Sequence, residues 1–464
     1  MTTASPWTIR LWCAAVTFVA AFVGLVAAVD PKVGLAMALG VAFTALVVSD
    51  LAVGVALFLL VAFLESVSAF AGLSLAKLAG ALLAFSWLAL VTTRSGTHRS
   101  LMRDHPVVLS AMVALGGWTV MSAAWAELPA TALDSSTRWV LNLVLFPIVY
   151  AAITKPSHVR LVFALFAFGA LLSAGFGLAT GTAVEDSGRL AGNGVNANEL
   201  GELLIVAVIL AGALASCREI PAPGRLLALG ASGLAVVALL ATVSRGAILG
   251  LVVALLCSPL LAGRGRRPAA LALVVVAAGC AATYLVAVAP RADIERLTSG
   301  DSTGTGRTDI WKVGLRMVKA NPVLGVGAGN YPNSTIHYLL EPGTIMRSDF
   351  IVDDPKVAHN VYLQVLAELG VVGLVLFLGL LAYVLRGLLI AARRFDRGGD
   401  RSMEVLSRAL LIALCGLLAS AFFSSAIYSK QLWLLLALAL AIGAMAAERY
   451  GPRRLAHGEP GAGS

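Results

Sequence analysis

Charge is scarce in this chain. Only 13% of its 464 residues are Asp, Glu, Lys or Arg, 59% are hydrophobic, and mean hydropathy is +0.90. So few polar groups cannot cover a water-facing exterior, which excludes a soluble globular class and leaves a polytopic membrane protein. The five cysteines, Cys13, Cys217, Cys257, Cys280 and Cys415, sit within or at the ends of apolar runs with no CxxC spacing. That excludes a disulfide framework and a zinc site. Ten-residue stretches of alternating hydropathy are absent, so a membrane barrel is excluded and the backbone must satisfy itself in helices. The net charge of +9 falls mostly in short loops between apolar runs, where it sets topology; no nucleic-acid partner is expected.

What is present is a succession of apolar runs. A window of about 19 residues gives candidate spans at 8–29, 33–49, 51–64, 72–92, 106–125, 137–154, 159–180, 197–216, 225–242, 246–262, 269–289, 369–391, 405–423 and 431–447. The fold class expected is all-α, with about 12 to 14 membrane helices. The first run, "LWCAAVTFVAAFVGLVAAV", is long enough to span and is followed closely by others, so it reads as a retained helix and not a cleaved signal. Asp50 is the one break between the second and third spans.

Positive charge alternates from loop to loop. "TRSGTHRSLMRDH", "TKPSHVR", "CREIPAPGR", "GRGRRP", "ARRFDRGGDRS" and "ERYGPRRLAHG" are assigned to the cytoplasmic side, which puts both termini inside. "AELPATALDSST", "GTAVEDSGRLAGNGVNAN" and the long segment before residue 369 then face outward. This divides the chain into membrane helices over 1–289, a large outer loop over 290–368, further membrane helices over 369–448 and a cytoplasmic tail over 449–464.

An unstructured loop of that length is unusual and tends to carry function. In "GTGRTDIWKVGLRMVKANP" Trp311, Leu315 and Val318 recur at i, i+4 and i+7 while Lys312, Arg316 and Lys319 take other faces, and Pro322 ends the run. The pattern predicts an amphipathic helix on the outer interface anchored by Trp311. "NPVLGVGAGNYP" follows as a connector rich in Gly, Pro and Asn.

The sequence "GRTDIWKVGLRMVKANPVLGVGAGNYP", then "AHNVYLQVLAELGVVGLVLFL" about thirty residues later, resembles the O-antigen ligase and O-antigen polymerase superfamily of bacterial envelope glycosyltransferases. The upstream segments "GRLAGNGVNANELGELL" and "ATVSRGAILGL" fit the same pattern. The resemblance implies a GT-C-like helical fold with a large periplasmic loop in the bacterial inner membrane. It also implies transfer of a glycan from an undecaprenyl-diphosphate carrier to an acceptor hydroxyl, on a lipid or another glycan, with membrane lipids around the protein and no cofactor. Where that family has Pro between two asparagines, this sequence has Ala197.

Read from the residues themselves, Arg189, Arg245 and Arg307 fall on the outer side, against the bias that governs the other arginines. Arg245 lies between two apolar runs, where a charge costs a few kcal/mol unless it is paired or snorkels. A lipid diphosphate would supply the pair: guanidinium binds phosphate oxygens bidentately and stays charged at any physiological pH. Snorkelling to headgroups is the competing account for each. Arg291, Arg296, Arg316 and Arg347 read as ordinary loop charges.

Two histidines lie outside, His337 and His359. An imidazole can take the proton of an acceptor hydroxyl near neutral pH as that hydroxyl attacks an anomeric carbon. His359 is the expected catalytic base. It opens a helix in which Asn360, Gln364 and Glu368, at i, i+4 and i+8, form one polar stripe expected to line a cleft. A capping or interfacial histidine is the competing account, and for His337 it is the preferred one.

Asn196 and Asn198, at a helix entry, fit N-caps or sugar ligands equally. Asp353 with Asp354, and Asp293 with Glu295, could hold a metal, but acidic loop residues are usually only solvated, and no metal site is assigned. Two other functions fit parts of the sequence. A polymerase extending carrier-linked repeats differs from a ligase only in its acceptor. A secondary transporter would explain many helices, yet no internal repeat is visible and charges within spans, such as Lys77 and Glu202, are few and near the ends.

Overall fold

The computed structural model describes residues 6–64, 68–70, 73–93, 99–180, 189–272, 307–339 and 357–451. Among them are sixteen α-helices and one short two-stranded ribbon, Ser68–Phe70 against Leu73–Ser74. The chain is all-α, and every expected span except 269–289 coincides with a helix. That span, with Arg291, Asp293, Glu295, Arg296, Arg347, Asp353 and Asp354, lies outside the described residues.

The first half comprises α1 (Pro6–Val29), α2 (Pro31–Ser49), α3 (Leu51–Ala62), α4 (Leu75–Thr93), the single turn α5 (Leu101–Asp104), α6 (Pro106–Met121), α7 (Pro129–Ala152) and α8 (Pro156–Thr180). Asp50 separates α2 from α3 because its carboxylate accepts the N–H groups of Ala52 and Val53, ending one helix and starting the next. Then come α9 (Ala197–Ala215), α10 (Ala222–Ala241), α11 (Arg245–Leu261), α12 (Arg307–Ala320), α13 (Tyr331–Leu339), α14 (Val361–Arg397), α15 (Arg401–Ser420) and α16 (Lys430–Tyr450). Eight helices are long and apolar enough to cross a membrane, and shorter apolar helices such as Leu51–Ala62 and Arg245–Leu261 occupy further expected spans.

α16 and α9 are the posts of the core, with 83% and 72% of their apolar windows buried, whereas α10 is only 11% buried. Where α11 meets α15 the backbones touch: a Cβ on Gly250 would lie 2.6 Å from the carbonyl of Gly416. Small residues allow this approach, and van der Waals contact is what holds helices together when lipid is as apolar as leucine.

Because successive helices run up and down, their ends fall into two sets. One set gathers the arginine-rich loops into ion pairs. Arg99 grips Glu448 and donates to the carbonyl of Ile153 at 2.9 Å. Glu404 takes Arg408 at 2.8 Å and Arg266 at 3.1 Å, and Arg449 approaches Asp400 at 3.5 Å. The other set carries the site.

α14 begins at Val361, as the helix opened by His359 should, and runs on through the span expected at 369–391, kinked at Gly370, whose φ is +66°. The kink lets the connector at 321–330 lie against the first turns of the helix. Val326 N–H donates to Ala367 O at 2.9 Å, Gly327 N–H to Glu368 O at 2.8 Å and Val371 N–H to Pro322 O at 2.9 Å. Neither backbone leaves room for a side chain: a Cβ on Gly370 would sit 2.0 Å from Val323 O, and one on Gly325 2.4 Å from Glu368 O.

α12 is helical, as its sequence pattern predicts, but its buried face is Ile310, Val313 and Met317, while Leu315 is exposed. Trp311 is not an interfacial anchor. Its indole N–H donates to Ala358 O at 2.9 Å and its ring packs on Phe422 and Phe423. The helix therefore braces the chain just before His359.

Candidate active site

The site is built where α9 and α11 begin and α15 ends. Asn196 caps α9, accepting from the N–H groups of Asn198 and Glu199. Of the two roles open for Asn196, the structure takes the cap. Asn198 Oδ1 accepts from Arg189 Nη2 at 2.7 Å and from Ser244 Oγ at 2.9 Å, so it orients an arginine. Arg189 Nε donates to Thr242 O at 2.9 Å. Ser244 caps α11 through Ala247 N–H after Val243, at φ +46°, turns the chain sharply. Arg245 is thereby fixed at the first position of α11, exposed.

Arg307, the first residue of α12, comes from far along the sequence to the same place. Burial lowers its guanidinium pKa; Arg189 and Arg245 lower it further by repulsion, and Glu202 opposes the shift. All three outer arginines thus share one electrostatic neighbourhood. Like charges brought together favour an anionic ligand. Glu202, 3% exposed, reaches the same place from the second turn of α9 and accepts from Ser420 Oγ at 3.2 Å.

His359 is joined to this group through the segment linking α15 to α16. Its backbone N–H donates to Ser425 Oγ at 2.9 Å, while the preceding Ser424 faces Glu202. Tyr362, one turn on, donates to Leu418 O at 2.7 Å and also lies within electrostatic reach of Glu202. The histidine adopts φ +47°, a left-handed conformation held between the Trp311 bond on one side and the Asn360 cap on the other. Non-glycine residues kept in such conformations concentrate at functional sites.

The polar stripe after His359 does not line a cleft. Asn360 caps α14 through Tyr362 and Leu363 N–H. Glu368, 2% exposed, points into the connector, accepting from Gly329 N–H at 2.8 Å and Gln364 Nε2 at 3.1 Å. These residues hold the scaffold on which His359 stands. The cause is the Gly370 kink, which packs the first turns of α14 against the connector.

The expected residues therefore divide. Arg189, Arg245, Arg307 and His359 are brought to one end of the bundle, with Asn198 in support; Asn196, Asn360, Gln364 and Glu368 are structural. Glu202, Ser420 and Ser425 join the site without having been assigned to it. A carboxylate inside an apolar span is costly enough to mark Glu202, but nothing local marks the serines. His337 pairs with Glu127 at 2.7 Å, past the far end of α12.

Fold and site together define a polytopic all-α membrane protein with a cationic, histidine-bearing site at one end of its helices. Residues 230–378 match the family model described as O-antigen ligase, so that stretch of the chain is similar to the O-antigen ligase family. The matched stretch takes in Arg245, Arg307 and His359 and leaves Arg189 and Glu202 outside it. No curated protein matches the chain.

Proposed function

We propose that the protein transfers a glycan from an undecaprenyl-diphosphate carrier to an acceptor hydroxyl at the outer face of the inner membrane, as an O-antigen ligase does. The observation that carries this is the convergence of Arg189, Arg245 and Arg307 near Glu202, to which His359 is linked through Ser425 and the adjacent Ser424. Guanidinium groups fork onto the oxygens of the diphosphate, holding the donor and stabilising the charge that grows on it as it leaves. The His359 ring accepts the acceptor's hydroxyl proton as that oxygen attacks the anomeric carbon. The bond from the anomeric carbon to the diphosphate oxygen breaks, and its electron pair leaves with the undecaprenyl diphosphate. To act as the base the imidazole must be neutral before reaction. Positive charge drawn to the cytoplasmic loops puts both termini inside and the site outside. Charge stabilisation by arginine leaves no step that requires a divalent metal. Extension of a second carrier-linked repeat would use the same chemistry with a different acceptor.

The test is transfer by purified protein from a carrier-linked glycan in the presence of EDTA. Transfer should persist in chelator, and Arg307→Lys should reduce it by about tenfold or more, because a point charge cannot reproduce the fork. Abolition by EDTA with rescue by magnesium or manganese, or full transfer by both Arg245→Ala and Arg307→Ala proteins, would overturn the proposal. Product analysis separates the acceptors: single-repeat products in a deletion strain indicate a polymerase, and unattached long chains on the carrier indicate a ligase.

A further inference from the structure

A cavity of about 300 Å³ opens beyond the C-terminal end of α12, lined by Trp125, Glu127, Asn321, Ser334, His337 and Tyr338 among others. None of these residues belongs to the arginine and histidine site. Its walls are built. The Trp125 indole is fixed by donation to Leu324 O at 3.2 Å and by packing on Trp118, 5.4 Å between ring centroids, and it remains partly exposed. Glu127 is held from both sides, by His337 at 2.7 Å on Oε1 and by Ser334 Oγ at 3.1 Å on Oε2. The bond from His337 keeps the Glu127 carboxyl below its ordinary pKa, so it remains an ionised acceptor at neutral pH. Asn321 Nδ2 donates to the Tyr338 hydroxyl at 2.8 Å.

Much hydrogen-bonding capacity is left over. Each Glu127 oxygen has taken one side-chain donor and has a second lone pair; the Tyr338 hydroxyl proton and the Asn321 side-chain Oδ1 are engaged by no other described group. A rigid, partly exposed indole beside a carboxylate, a phenol and an amide suits a pyranose ring. The indole covers the ring's C–H face, and the polar groups take its hydroxyls.

The cavity is too far from His359 to hold the reacting sugar. Trp311 of α12 bonds Ala358, next to His359, and Asn321 lies just past the end of the same helix; ten residues at about 1.5 Å each separate the two places by about 15 Å. We propose that this cavity is a saccharide subsite that binds a unit of the glycan chain several sugars away from the bond being made. The inference rests on the glycan-transfer function proposed above. Binding remote units would draw long chains to the enzyme in preference to short ones.

The chain bound could be the donor's or the acceptor's, and both present the same chemistry. The probe is the oligosaccharide released by mild acid from the carrier-linked pool of cells lacking the protein, fractionated by repeat number. Calorimetric titration of the full-length protein should show binding of the multi-repeat fraction, weakened about tenfold in Trp125→Ala and in Tyr338→Phe by loss of the stacking face or a polar partner. Trp125→Phe should recover part of the loss. If Trp125→Ala fails to fold, because the indole also holds Leu324, Tyr338→Phe carries the test, since it keeps the ring. In transfer assays the same variants should raise KM about tenfold for one long substrate; a rise for the donor places the donor glycan in the cavity, a rise for the acceptor places the acceptor there. Absence of binding to wild-type protein, equal binding by all variants, or an unchanged KM for both substrates would overturn the subsite. Binding weakened by these variants, together with no transfer by the wild-type protein, would instead sink the transfer function and leave the subsite standing.

Discussion

Replacing His359 by glycine should stabilise the protein relative to His359→Ala while abolishing function as completely. At φ +47° an L-residue crowds its Cβ against the following carbonyl, at a cost of about 1–2 kcal/mol. The fold sustains this because the flanking groups are fixed: Ala358 O accepts from Trp311, His359 N–H donates to Ser425 Oγ, and Asn360 caps the helix immediately after. Alanine loses the imidazole and retains the strain. Glycine loses the imidazole and the strain together, offset by about 0.4–1 kcal/mol of extra freedom in the unfolded chain. The glycine variant should therefore exceed the alanine variant by up to about 1 kcal/mol, opposite to the usual order of these residues. Both should lose roughly 10²-fold or more in transfer, the usual contribution of a positioned proton acceptor. His359→Asn, whose side chain tolerates this conformation, should be as stable as wild type and equally inactive. Thermal unfolding of purified protein in detergent, read beside single-turnover transfer, measures both quantities. An alanine variant more stable than the glycine variant would refute the strain, and transfer at the wild-type rate by any of the three would refute the base.

Gly370→Ala should cost about 3–4 kcal/mol. The left-handed conformation contributes about 1–2, and loss of the Val371 and Gly327 bonds to the connector roughly 1 each. Gly399, at φ +74° with open space around its Cβ position, is the control, and Gly399→Ala should cost only about 1–2 kcal/mol; equal losses in thermal unfolding would refute the clamp. Single cysteines in a background without the five native ones test sidedness. Thr308→Cys should react with an impermeant thiol reagent from outside the inner membrane and Glu219→Cys should not, and the reverse pattern would place the site on the wrong face. Glu202→Gln keeps the bond from Ser420 and removes an ionisable carboxyl facing Arg307, so donor binding should be at least as tight as in wild type while thermal unfolding stays close to it. Weaker donor binding in this variant would show that the carboxylate positions the guanidinium instead of competing for it.

The sequence by itself determined the class and the elements. A backbone in hydrocarbon must be helical, and the apolar runs coincide with helices down to the break that Asp50 makes by capping α3. It also singled out Arg189, Arg245, Arg307 and His359, because charge on the outer side of a membrane protein needs a reason that a short motif can hint at. Three things were decided only by tertiary structure. Which helices form the core was one: α16 and α10 are both apolar all round, and lipid accepts such a surface as readily as protein does, so composition does not distinguish 83% burial from 11%. The fate of the polar stripe was another, since spacing places Asn360, Gln364 and Glu368 on one face of a helix whether that face meets a cleft or a connector. The kink at Gly370 chose the connector. The last was the site itself, in which Arg307 meets Arg189, Arg245 and Glu202 across more than sixty intervening residues, a proximity set by packing among helices that no local pattern encodes.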